Sequence, residues 1–182
     1  MTEFLDGGSL LQRLQKGHPQ AEETSAILLP IAAALDALHR RQIVHGCVRP
    51  SNILFRANGQ PVLVDGGIHG DVDRVLEKVE REHWPPEWRL ESRSDVYSLG
   101  VVVYRMLTGT TPFPEDNSND RPQTRREHPV SLRHYHPALS QSVDHVIWKA
   151  LAYNPEDRFA TAGEFARQFQ DAIRSDATWP TG

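Results

Sequence analysis

The chain has 182 residues, 38% of them hydrophobic and 24% charged, with a net charge of −4. That is enough apolar material for one packed domain and does not read as a disordered composition. The mildly acidic balance argues against nucleic acid as the main partner, because phosphate contacts need a basic surface.

The first ten residues end in Gly7-Gly8-Ser9-Leu10, which reads as a turn followed by a helix N-cap. Residues 24–41 place Ile27, Leu28, Ile31, Leu35 and Leu38 at helical spacing, so a buried helix is predicted, with Pro30 kinking it. The stretch Ile43-Val44-His45-Gly46-Cys47-Val48-Arg49-Pro50-Ser51-Asn52-Ile53-Leu54 follows. Residues 53–56 and 61–64 read as two short strands, joined through Asn58-Gly59, a hairpin signal. They lead to Asp65-Gly66-Gly67.

In residues 68–87, Val72, Val75, Leu76 and Val79 predict a short amphipathic helix, with Glu77 and Arg81 as an i,i+4 pair on its outer side. No Ser, Thr or Tyr lies between Asp65 and Glu87, so the segment has no site for a phosphate switch. Residues 94–109 predict a helix apolar nearly all round, begun by Ser94 and Asp95 as caps and ended by Gly109. Residues 110–138 read as loop with one short helix. Arg121, Arg125 and Arg126 form a small basic cluster there, best read as solvated. His134 and His136 are a weak metal signal, since no Cys or acidic residue lies at ligand spacing. An amphipathic helix over 140–151 follows, then Asn154-Pro155-Glu156-Asp157-Arg158-Phe159, a helix over 161–173, and a flexible tail over 174–182.

Five stretches in this order resemble the protein kinase superfamily of the Ser/Thr type. They are the 45–54 segment, Asp65-Gly66-Gly67, Pro86-Glu87, the 94–109 helix and the 155–159 segment. Kinases write the first as V-H-R-D-L-K-P-x-N-I-L and the second as Asp-Phe-Gly. The resemblance implies a mainly α fold over residues 1–173: a kinase-like C-lobe, built as a helical bundle with a small β-hairpin by the catalytic loop. It begins at a hinge-like segment, so the N-lobe, with its Gly-rich loop and strand lysine, is expected to be absent from this chain.

By the same resemblance, His45, Glu87, Asp95 and Arg158 are structural. Asp95 is expected to accept hydrogen bonds from the catalytic loop, and Arg158 to pair with Glu87. Asn52 and Asp65 stand at the family's nucleotide-magnesium positions. Cys47 stands where kinases have the catalytic aspartate, and Arg49 where they have the lysine two residues on. A thiol with a pKa near about 8.5 is mostly neutral at pH 7 and cannot copy a carboxylate. Loss of general-base help costs about 10²–10⁴ in rate. A Cys47–His45 nucleophile is not expected, because neither an orienting third group nor an oxyanion site is marked.

The expectation is a pseudokinase-like C-lobe that binds another protein, or itself, through the face left by the missing N-lobe, with no cofactor. The alternative is a divergent Ser/Thr kinase using Mg-ATP with an N-lobe supplied elsewhere or lost. A third reading is a remnant that folds but has no role. With a single cysteine, no apolar run of membrane-spanning length and no basic leader at Met1-Thr2-Glu3-Phe4, a cytoplasmic protein without a membrane partner is expected.

Overall fold

The computed structural model describes residues 5–66, 85–87, 89–113 and 129–177. The predicted helix at Val72–Val79, the Glu77–Arg81 pair and the Arg121/Arg125/Arg126 cluster lie outside the described residues. Among those described, the protein is mainly helical, with one two-stranded antiparallel sheet.

Helix α1 (Leu10–Leu14) starts at Ser9, whose hydroxyl accepts from the Gln12 amide while the Gln12 side chain accepts from the Ser9 amide. This reciprocal box satisfies two of the N–H groups that every helix start leaves open. Ahead of it, Gly7 donates to the Phe55 carbonyl and Gly8 accepts from the Phe55 amide. The chain lies so close that a Cβ on Gly7 would sit 2.6 Å from the Phe55 oxygen. The predicted turn is therefore also an extra pairing partner for the sheet.

Helix α2 (Ala21–His39) begins three residues before the predicted start and runs without interruption through Pro30. It buries Ile27, Leu28, Ile31, Ala32 and Leu35. Strands β1 (Ile53–Phe55) and β2 (Pro61–Leu63) pair with Ile53 opposite Leu63, Leu54 opposite Val62 and Phe55 opposite Pro61. Each strand is one residue shorter than predicted.

Helix α3 (Ser92–Thr108) is the centre of the molecule. Val96, Leu99, Val101, Val102, Val103 and Tyr104 are each buried to 1% exposure or less. Burying such side chains contributes about 1.5–3 kcal/mol apiece before entropy is counted. Gly109, in the left-handed conformation at φ 75°, ends it as predicted. The predicted start is corrected: the N-cap is Glu91. Ser94 sits in the first turn and accepts from the Glu91 amide. Asp95 is turned away to other work.

The short helix expected within 110–138 is α4 (Leu132–Tyr135), followed by α5 (Gln141–Ala150) and α6 (Ala162–Ala177). The last carries Arg174 to Ala177 in helix, past the end predicted at Ile173. Two of these helices are capped from other helices. Asp36 of α2 accepts from the Gly163 amide at the start of α6. Asp144 of α5 accepts from the Leu132 amide and the Ser131 hydroxyl at the start of α4. A carboxylate at a helix N-terminus satisfies open donors and meets the positive end of the dipole. Phe159, ahead of α6, stacks on Phe165 with ring centroids 5.5 Å apart, and Phe165 meets Phe169 at a tilt, 6.5 Å apart.

Candidate active-site loop

The 45–54 loop hangs on Asp95, in the first turn of α3 and only 1% exposed. Its Oδ2 accepts from the His45 amide at 2.9 Å and lies 2.7 Å from His39 Nε2; its Oδ1 accepts from the Gly46 amide at 2.8 Å. A buried carboxylate is stable only with such a set of donors. His39, the last residue of α2, was not singled out in the sequence. Nothing in its spacing marks it, because its partner is 56 residues away.

His45 is buried and both ring nitrogens are engaged. Nδ1 accepts from the Cys47 amide at 3.2 Å, so it carries no proton, and Nε2–H donates to the Val64 carbonyl at 3.1 Å. The ring is therefore the neutral Nε2–H tautomer. Burial pushes its pKa below the ordinary 6.5, against the opposing pull of Asp95, the Val64 carbonyl and Asp65. Neither nitrogen is engaged with the Cys47 thiol.

Cys47 is a buried, free thiol. Burial pushes its pKa up, more than the Arg49 cation and the Asn52 bond pull it down. Asn52 donates its side-chain amide to the Cys47 carbonyl at 3.0 Å and to Sγ at 3.1 Å. The loop thus holds a protonated thiol, not a thiolate nucleophile. Arg49 is half-buried, with extended backbone, just before the 3₁₀ turn Pro50–Asn52.

Asp65 leaves β2 with φ 57° and is exposed. It stands close enough for its charge to act on both His45 and Cys47. Asn52 and Asp65 are oxygen donors of the type magnesium takes. They are two donors, so the ion would need water and nucleotide phosphate to complete six-fold coordination. Among the described residues no group of three His, Cys, Asp or Glu side chains converges on a metal-sized site. His134 packs edge-on to Tyr135, and His136 ends α4.

Glu87 and Arg158 meet beside the first turns of α3, where Arg158 also bonds the Arg93 carbonyl. The guanidinium donates to both carboxylate oxygens, at 2.9 and 2.7 Å, and lies 4.8 Å over the Tyr97 ring. No described helix is long and apolar enough to cross a membrane.

A protein kinase domain family matches residues 1–170. The Ser/Thr protein kinase Pkn1 of Myxococcus xanthus is 35% identical over 95% of this chain, and the Ser/Thr protein kinase PknB of Mycobacterium leprae 33% over 90%. The chain spans only 27% and 28% of those two proteins. A crystal structure of the Mycobacterium tuberculosis PknI kinase domain, a double mutant, superposes with TM-score 0.74 at 27% identity, covering 93% of this chain and 64% of that one. On its sequence, its helical C-lobe architecture and its solved relatives, this chain belongs to the protein kinase domain family.

Proposed function

We propose that this kinase-like C-lobe is a non-catalytic protein-binding or scaffolding module. One observation carries the reading. At the position where kinases orient the attacking hydroxyl with a carboxylate stands Cys47, a buried thiol whose Sγ is engaged by Asn52. A neutral thiol is a poor proton acceptor, so the carboxylate that orients the attacking hydroxyl in phosphoryl transfer has no counterpart at this position. The partner is another protein or a second copy, docking on the face where kinases seat their N-lobe. A cytoplasmic setting goes with the single reduced cysteine.

A second reading, a divergent Ser/Thr kinase using Mg-ATP, is favoured by the exposed Asp65 carboxylate and by Asn52. Thermal unfolding with and without Mg-ATP, together with transfer of labelled phosphate to a protein acceptor, separates the two. The expected result is no shift and no transfer, including for Cys47→Asp. Phosphate transfer by the unaltered protein would overturn the proposal.

A further inference from the structure

Residues 57–60, which join β1 to β2, are all exposed. Gly59 takes the left-handed conformation at φ 82°, and no atom lies within 4 Å of where its Cβ would stand. Its amide donates to the Arg56 carbonyl at 2.9 Å. The Gln60 amide donates to Asn58 Oδ1 at 3.0 Å, so the Asn58 side chain folds back along its own backbone as an Asx turn. Asparagine is a thermolabile side chain. Here the residue that follows it has no side chain to hinder ring closure onto the backbone nitrogen.

We infer that Asn58 is a site of spontaneous deamidation that the folded turn holds in check. The Gly59 nitrogen gives up its proton to solvent base and attacks Asn58 Cγ. The N–Cγ bond forms, the Cγ–Nδ2 bond breaks, and Nδ2 leaves as ammonia after taking a proton from water. Water then adds across either C–N bond of the succinimide, leaving aspartate or isoaspartate at position 58. The net change is water taken up and ammonia released, with nothing oxidised or reduced. The hold comes from the turn, because the Gly59 N–H must leave the Arg56 carbonyl before its nitrogen can attack. The other asparagines among the described residues lack this opening. Asn52 is buried and precedes the β-branched Ile53, and Asn154 precedes Pro155, whose nitrogen carries no proton. Either product adds a negative charge at the hairpin tip, and isoaspartate also lengthens the loop by a backbone methylene. The inference stands whether or not the protein transfers phosphate.

The full chain tests it. Native protein and the guanidinium-unfolded chain are kept warm side by side in mildly alkaline buffer. Peptide mass spectrometry then follows conversion of each asparagine, and enzymatic methylation counts isoaspartate. Unfolded, Asn58 is expected to convert at least about tenfold faster than Asn52 or Asn154; folded, it still converts, but about fivefold or more slowly than unfolded. Asn58→Gln, longer by a methylene, is expected to remove the signal from that peptide. Conversion of Asn58 no faster than of Asn52 in the unfolded chain overturns the site, as does native Asn58 left intact throughout the incubation. Equal rates at Asn58 in the two states overturn the hold.

Discussion

Arg158 reaches Glu87 across 71 residues of sequence and uses every donor it has at that junction. Besides its two bonds to the carboxylate, Nε donates to the Ala152 carbonyl at 2.8 Å, Nη1 to Arg93 at 3.1 Å and Nη2 to Tyr153 at 3.1 Å. Ser94 donates to the same Glu87 Oε1 at 2.9 Å or, at 2.6 Å, to the Arg89 carbonyl. The pair therefore ties the start of α3 to the 152–158 segment, and the Arg158 side chain is fully buried while that of Glu87 is 13% exposed.

Arg158→Ala should cost about 3–5 kcal/mol, because it strands Glu87 and three carbonyls in a site with little water. Arg158→Lys should rescue little, since a single ammonium cannot replace a two-pronged fork. Urea unfolding of both variants checks this. A loss below about 1 kcal/mol for Arg158→Ala would show the pair to be dispensable.

Asp95→Asn changes one oxygen for an NH₂ group, which in either position meets a backbone amide donor, that of His45 or of Gly46. A loss of at least about 2 kcal/mol is expected, with faster amide exchange at His45 and Gly46. Unchanged exchange at both amides would mean the loop does not depend on this carboxylate.

Stability should fall on mild acidification because of His45. Its folded pKa lies below the ordinary 6.5 through burial. As pH drops, the unfolded chain takes up the proton first. The stabilising contribution is thus complete above about pH 6.5 and is lost as pH falls through the lowered folded value. The physical reason is visible: a proton on Nδ1 would point at the Cys47 amide, itself a donor. Urea midpoints measured between about pH 7.5 and 5 should decline, and His45→Asn should flatten the decline. An identical slope in the variant would assign the effect elsewhere.

Cys47 should resist alkylation. Burial raises its pKa and Asn52 lies against Sγ. Iodoacetamide at about pH 8 is expected to label the native protein at least about a hundredfold more slowly than the urea-unfolded chain. Comparable rates would refute the protonated, packed thiol on which the non-catalytic reading rests.

The legible parts of this protein were local ones. Hydrophobic spacing marked α2 and α5, a nearly all-apolar run marked α3, Asn58-Gly59 marked the hairpin, and Gly109 marked the end of α3. Each depends on residues a few positions apart, which the sequence displays directly. Helix starts were less legible. Ser94 and Asp95 look like caps, but Glu91 takes that place, and Asp95 is drawn off by amides 49 and 50 residues away.

By itself the sequence determined the family, the order of the elements, and the replacement of a carboxylate by Cys47 and of an aromatic by Gly66. Folding alone decided further meetings, which neither the spacing nor the resemblance had named. It brought His39 to Asp95, Asp36 to the start of α6, and the His45 ring into the space beside Gly66. The reason is physical. A buried donor, acceptor or charge must find a partner wherever the chain delivers one. That choice is made by packing in three dimensions and leaves no mark in the spacing of residues along the chain.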